Sequence, residues 1–156
     1  MDIRRAGADD CEALADTSKR AFDADVEVGA PAPGGPPGYD STRWHRDMLR
    51  KAYVFAISHD RVVVGGAIVF LRSASVAYLG RIWLVPEVQG NGLGHQAMES
   101  LETLFPKATR WQLETPMWNL RNQHFYTSCG YRRVGARGDE VQFEKSLRTG
   151  PRPADL

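Results

Sequence analysis

The sequence predicts a mixed α/β fold, a largely antiparallel sheet with helices on its faces, and three observations predict it. Three apolar segments between Tyr53 and Val85 lie at hairpin spacing, which is the pattern of an antiparallel meander. A glycine-rich junction, Gln89 to Gly94, then carries the chain from a strand into a helical pattern. After that junction, helical and extended patterns alternate up to Phe143. With 156 residues the chain fits a single domain, long enough to bury a core without staples. Residues 1–148 read as that domain and 149–156, TGPRPADL, as a frayed tail.

Ile3 to Arg5 reads as a short first strand. Asp9 is expected to open a helix, with Glu12 three residues on as a capping box, and Cys11, Leu14, Ala15, Ser18 and Phe22 repeat on one face. Gly29 to Asp40, GAPAPGGPPGYD, holds too many prolines and glycines for regular structure and reads as a long loop inside the domain. Ser41 is placed to cap a second helix carrying Trp44, Met48 and Leu49. Tyr53 to Ser58 alternates and stops at the turn His59-Asp60-Arg61. Val62 to Leu71 follows, interrupted by Gly65-Gly66, which marks a bulge or the close approach of another backbone. Val76 to Val85 completes the meander. Leu93, Ala97, Met98, Leu101, Leu104 and Phe105 keep helical spacing until Pro106. Trp111 to Thr115 is a strand, Asn119 to Cys129 a helix stopped by Gly130, and Tyr131–Val134 with Val141–Phe143 a closing hairpin around GARGDE.

Bulk composition excludes some partners. Twenty basic residues face 19 acidic ones, so no electrostatic field favours a nucleic acid. No stretch approaches the ~20 apolar residues of a membrane span, and MDIRRAGADD lacks the apolar run of a signal peptide. Cys11 and Cys129 fall on apolar helical positions far apart, which reads as two reduced thiols in a cytoplasmic protein.

The glycine junction carries the chemistry. The first turn of a helix has unpaired N–H groups and the positive end of a dipole. Glycines at 90, 92 and 94 let a ligand approach that backbone, so the junction suits a phosphate. It is not a Walker loop, because His95-Gln96 stands where Lys-Ser/Thr is required. The dinucleotide fingerprint fails as well, since its last glycine would fall on His95 or Ala97.

Gln89-Gly90-Asn91-Gly92-Leu93-Gly94 resembles the Q/R-x-x-G-x-G/A pyrophosphate loop of the GCN5-related N-acetyltransferase (GNAT) family. Leu84-Val85-Pro86 precedes it as in that family. Asn119 lies seven residues before Tyr126 in NLRNQHFYTSCGY, similar to the family's N-x(6)-Y helix ending in a Gly-aromatic pair, here Gly130-Tyr131. The order of elements is similar too, so the resemblance covers nearly the whole chain. It implies the GNAT fold, with a splay between the fourth and fifth strands, and acetyl-CoA lying in that splay. It further implies that backbone N–H groups from Gln89 through Gly90, Asn91, Gly92 and Leu93 to Gly94, next to His95, hold the pyrophosphate. Val85 and Asn119 would bind the pantetheine arm, and a backbone N–H near Leu84 or Val85 would meet the oxyanion. Asn91 departs from the pattern, because many members carry Lys or Arg there, so the grip would rest mainly on backbone dipoles.

By the same resemblance Tyr126 is the general acid that protonates the departing thiolate, with simple packing as its alternative. The base is left open. The strand before the loop has no carboxylate in LGRIW; Glu114 is one substitute, directly or through a water, and His124 and His45 are others, and each reads more simply as a surface or structural residue. Arg81 reads as a solvated or ion-paired arginine, with the positioning of an anionic substrate as its alternative. Trp83 and Trp118 lie near motif residues and are the candidate aromatic walls. The resemblance implies direct acetyl transfer in a ternary complex to an amine of a small molecule or protein, with no metal, and leaves a homodimer open. The missing carboxylate keeps a second class in view, a non-catalytic acyl-CoA sensor of the same fold.

Overall fold

The computed structural model describes residues 1–147, so the expected tail lies outside the described residues. Seven strands form one sheet: β1 Asp2–Arg5, β2 Tyr53–His59, β3 Val62–Leu71, β4 Val76–Leu84, β5 Arg110–Pro116, β6 Arg132–Arg137 and β7 Glu140–Ser146. Their order is β1-β2-β3-β4-β5-β7-β6. Every neighbouring pair is antiparallel except β4 and β5, which run parallel because α3 (Leu93–Leu104) crosses between them. The other helices are α1 Cys11–Asp23, α2 Thr42–Met48 and α4 Leu120–Ser128. None of the described helices is long and apolar enough to cross a membrane.

The sheet has a core on each face. Leu14 and Ala21 of α1 and Met48 of α2 pack with Val54, Ala56, Ile68 and Trp83 on one. Met98 and Leu101 of α3 and Tyr126 of α4 pack with Phe55, Val69, Leu79, Trp111 and Leu113 on the other. Side chains alternate between faces along a strand, and a bulge in β4 interrupts that alternation. Ile68 pairs with Arg81 and Val69 with Leu79, which leaves Gly80 as the extra residue. The parity of β4 is therefore reset beyond Gly80, and Arg81 and Trp83 turn to the α1–α2 face.

The bulge also marks where two strands part. The parallel pairing of β4 with β5 covers only Val76↔Arg110 to Leu79↔Leu113. From Gly80 on, β4 has β3 on one edge and no strand on the other, while β5 stays paired with β7 as far as Pro116↔Glu140. This is the splay expected between the fourth and fifth strands.

Some expectations need correction. α1 is not opened by Asp9 with Glu12. A single 3₁₀ turn, Ala8–Asp10, comes first, and the Asp10 carboxylate accepts from the Gly7 N–H at 2.8 Å. Arg4 at the end of β1 draws Asp10 into this role with two bonds of 2.9 and 2.8 Å. The Gly65-Gly66 interruption is both things expected of it. The β2–β3 register skips Val64, and a Cβ on Gly65 would lie 2.0 Å from the Trp83 backbone carbonyl. The last hairpin is tighter than GARGDE, because both strands extend into it and leave only Gly138-Asp139.

Candidate active site

The edge of β4 that β5 abandons has a definite polarity. Val85 donates its N–H to the Val64 carbonyl across the ladder at 2.9 Å. Antiparallel bonding alternates, so Leu84 and Ile82 turn their N–H and C=O groups the other way, into the splay. Both line a cleft of about 460 Å³. Val85 does not. Its N–H serves β3 and its carbonyl accepts from Val88, so the backbone pairing expected at Val85 is available instead at Leu84. At present the Leu84 carbonyl accepts from the Gln89 Nε2 amide at 2.8 Å.

One end of the cleft is formed by Gln89, Gly90, Gly92, Gly94 and His95. Gly90 and Gly92 have φ of 82° and 78°, a region that side chains strain to adopt. A Cβ at either would meet nothing within 4 Å, so these glycines keep the backbone bent and bare. The first bonded amide of α3 is Gln96, to the Gly92 carbonyl. The N–H groups of Leu93, Gly94 and His95 consequently have no helical acceptor. Leu93 itself is buried in the core, and Asn91 is exposed and outside the lining. Gly94 has a different purpose, because a Cβ there would stand 2.9 Å from the Phe125 ring of α4. His95 also abuts Phe125 edge-on at 5.1 Å and bonds the Ser128 hydroxyl at 2.7 Å.

Tyr126 forms the wall opposite. Its ring packs against Phe125, Tyr131 and Phe143 at 5.3, 6.0 and 6.2 Å. Among the described residues its hydroxyl has no protein hydrogen-bond partner. Burial pushes the phenol well above the ordinary tyrosine range; Arg121 opposes this, while Cys129, Tyr78 and Asp25 add to it. Asn119 is buried and outside the lining. Its Oδ1 accepts from the Asn122 N–H at 3.0 Å, so it caps α4, and Asn122 takes the place in the wall.

Glu114 also lies outside the cleft lining. It is the first β5 residue past the last β4–β5 pair, where the splay begins. It accepts from the Tyr78 hydroxyl at 3.3 Å and from Arg137 at 3.2 Å. Burial, with help from Glu114, pushes Tyr78 up to about 12. His45 is fully buried on the α1–α2 face, with Nδ1 2.7 Å from the Ser41 carbonyl, and burial holds its pKa below the usual value. His124 is exposed on the outer side of α4, in a shallow groove with Arg132 and Arg133. Arg81 is half-buried and forms no ion pair among the described residues. It lies 4.0 Å from the Trp44 ring centre and donates to the Pro37 carbonyl at 2.6 Å, and burial lowers its pKa to about 10. Trp83 lines the cleft, tethered through Nε1 to Thr17 at 3.0 Å; Trp118 does not line it.

Two charged cleft residues escape sequence reasoning, Asp25 and Arg121. Arg121 donates to Asp25 at 2.8 Å and to Gln89 at 3.3 Å. Together with the bond from Gln89 to Leu84, this makes a continuous chain from the end of α1, through α4 and the glycine loop, to the free edge of β4. The arrangement offers bare amides for an anion, an unpaired strand edge for an amide-bearing chain, and a protonated phenol beside both.

Comparison with known proteins bears on this arrangement. The model of the family described as Acetyltransferase (GNAT) family matches residues 19–131. The uncharacterized protein YrkN of Bacillus subtilis (strain 168) is 33% identical over 82 residues, which are 51% of this chain and 44% of that protein. The matched part thus spans less than half of that relative's length. The crystal structure of PaiA N-acetyltransferase from Thermoplasma acidophilum, in complex with coenzyme A, has a TM-score of 0.80 at 16% identity, covering 94% of this chain and 98% of that one. An acetyltransferase from Thermus thermophilus has a TM-score of 0.78 at 19% identity, covering 94% and 96%. At such identities the likeness is one of fold.

Proposed function

The chain belongs to the GNAT family of acetyltransferases, and from that premise we propose that it transfers an acetyl group from acetyl-CoA directly to an amine. The observation that carries this reading is the convergence, in one cleft, of the bare amides of the glycine loop, the free edge of β4 and the Tyr126 hydroxyl.

Acetyl-CoA enters as substrate and supplies the thioester. The amides at Gly90 to His95 hold its diphosphate, with the dipole of α3 adding to them. The pantetheine arm has amide groups of its own. It lies along β4 and takes over the Leu84 carbonyl that Gln89 now occupies. Acyl transfer then puts negative charge on the thioester oxygen, and the Leu84 N–H, turned into the splay, is the backbone donor that meets it. An amine of pKa near ~10.4 is neutral in only about one molecule in a thousand at neutral pH. Glu114, outside the lining but where β4 and β5 part, takes its proton through a bridging water and passes it to solvent. The amine nitrogen bonds the acetyl carbon, the carbon–sulfur bond breaks, and Tyr126 gives its proton to the sulfur. A second proton from the nitrogen restores Tyr126. The acceptor is an amine of a small molecule or a protein.

A thiol-release assay with acetyl-CoA and a panel of polyamines, amino acids, aminoglycosides and peptides tests the reading. At least one amine should be acetylated. Tyr126→Phe should lower kcat about tenfold to a hundredfold, toward the low end for a general acid because a thiolate of pKa near ~8.5 already leaves fairly well, with little change in the KM for acetyl-CoA. Burial raises the pKa of the phenol, so an alkaline limb that reports its proton should lie above the ordinary tyrosine range in wild type and vanish in the variant. A protein that binds acetyl-CoA yet acetylates nothing in the panel would instead favour the sensor.

A further inference from the structure

The glycine loop lacks a side-chain cation, since Asn91 is uncharged and exposed. Arg121 stands in the wall of the same cleft, on another helix. Its position is electrostatically odd. It lies in the first turn of α4, where the helix dipole disfavours a positive charge. Asp25 holds one end of the guanidinium and Gln89, the first residue of the loop, the other. Those bonds use two of the five N–H donors of an arginine and leave three. The side chain remains 41% exposed while that of Asp25 is only 9% exposed, so the carboxylate is the buried member and the guanidinium the accessible one. Burial raises the Asp25 pKa even with Arg121 beside it. The pair thus leaves the cation incompletely satisfied.

We propose that Arg121 is the side-chain cation of the diphosphate site, reaching from α4 to the phosphates held on the amides of the glycine loop. The inference rests on the reading of the cleft as an acetyl-CoA site. Chemically it is a division of labour. Backbone amides give direction without net charge, and a planar guanidinium adds charge and paired donors suited to phosphate oxygens. CoA entry takes the Leu84 carbonyl from Gln89, which frees the Gln89 side chain and the N–H that Arg121 now spends on it. Asp25 keeps the guanidinium aimed along the wall.

Calorimetric titration of the full chain tests this with CoA, dephospho-CoA and S-acetylpantetheine, the last lacking the diphosphate. Arg121→Gln should weaken CoA and dephospho-CoA by the same factor, about tenfold to a hundredfold, as expected for loss of charge-assisted hydrogen bonds. It should leave S-acetylpantetheine unchanged and make CoA binding less sensitive to salt. Arg121→Lys should recover part of the loss. Asp25→Asn loosens the aim of the guanidinium but keeps the cation, so CoA affinity should fall clearly less than in Arg121→Gln. Circular dichroism melts would establish that each variant is folded. Unchanged CoA affinity in Arg121→Gln overturns the proposal. So does an equal loss in Asp25→Asn, which would make Arg121 only half of a clasp, or a loss confined to CoA, which would move Arg121 to the 3′-phosphate. If wild type fails to bind CoA at all, the acetyl-CoA reading itself falls, and this assignment with it.

Discussion

Gly90, Gly92 and Gly94 look alike in the sequence, yet only the first two need the backbone freedom of glycine. Gly90 and Gly92 have left-handed backbones and open space around them. Alanine at either costs strain, about 1–2 kcal/mol, but displaces no neighbour. Gly94 is an ordinary helical residue whose missing Cβ makes room for Phe125, and Phe125 is held between His95 and Tyr126. Gly94→Ala should therefore separate α3 from α4, lowering both the melting temperature and kcat by shifting Tyr126. Gly90→Ala should mainly weaken CoA binding. Thermal melts and CoA titrations of the two variants check this, and a Gly94→Ala protein with wild-type kcat would refute it. At Gly90 and Gly92 the backbone is left-handed and bare, as a close-approach loop requires. For Gly94 the reason lies in Phe125, on a different helix, which no local pattern reveals. Arg121 left a clue, a lone cation in the first turn of a helix, but its partner Asp25 lies 96 residues upstream.

Local chemistry is legible at element scale where an element's ends are satisfied from within. Ser41 caps α2 by accepting from the Trp44 N–H, and Asn119 caps α4; both starts follow from residue type and spacing. The start of α1 departs from expectation because its cap is drawn in by Arg4 of a neighbouring strand. The Gly80 bulge escapes the sequence because it changes strand parity through a partner's register, and Gly80 alone does not disclose that. The Asp10 cap has a measurable consequence. Hydrogen bonding from Arg4 and from the Gly7 N–H holds its pKa to about 2, below the ordinary carboxylate value. A carboxylate depressed on folding stabilises the protein above its unfolded pKa, near ~3.9. That stabilisation is lost as pH falls from about 4 toward 2. Asp10→Asn can still accept from Gly7 but loses the ion pair with Arg4, and should cost about 1 kcal/mol or less at pH 7. It should also flatten the fall in melting temperature across that acid window. An unchanged acid slope would show that the Arg4–Asp10 contact adds nothing to folding.

At the scale of the whole molecule, the loop from Gly29 to Asp40 illustrates what composition can and cannot tell. Its prolines and glycines correctly exclude regular structure, but they do not disclose how it packs. None of its residues lines the cleft. Tyr39 donates to Asp23 at 2.7 Å and meets Phe22 edge-on, while Arg81 of β4 donates to Pro37. A Cβ on Gly38, where φ is 76°, would stand 2.1 Å from Trp44. The loop is thus a brace joining α1, α2 and the far half of β4, the half whose other edge forms the cleft. Partners such as Trp44 and Arg81 come from separate elements, so the packing becomes visible only once the sheet is assembled. Gly38→Ala should then act globally. Overpacking against Trp44 and left-handed strain together imply a loss of about 2–4 kcal/mol, which for a domain of this size lowers the melting temperature by roughly 5–15 °C. Limited proteolysis should open first within Gly29–Asp40, because the brace is released before the sheet. A Gly38→Ala protein with the wild-type melting temperature and digestion pattern would reduce the segment to a passive connection.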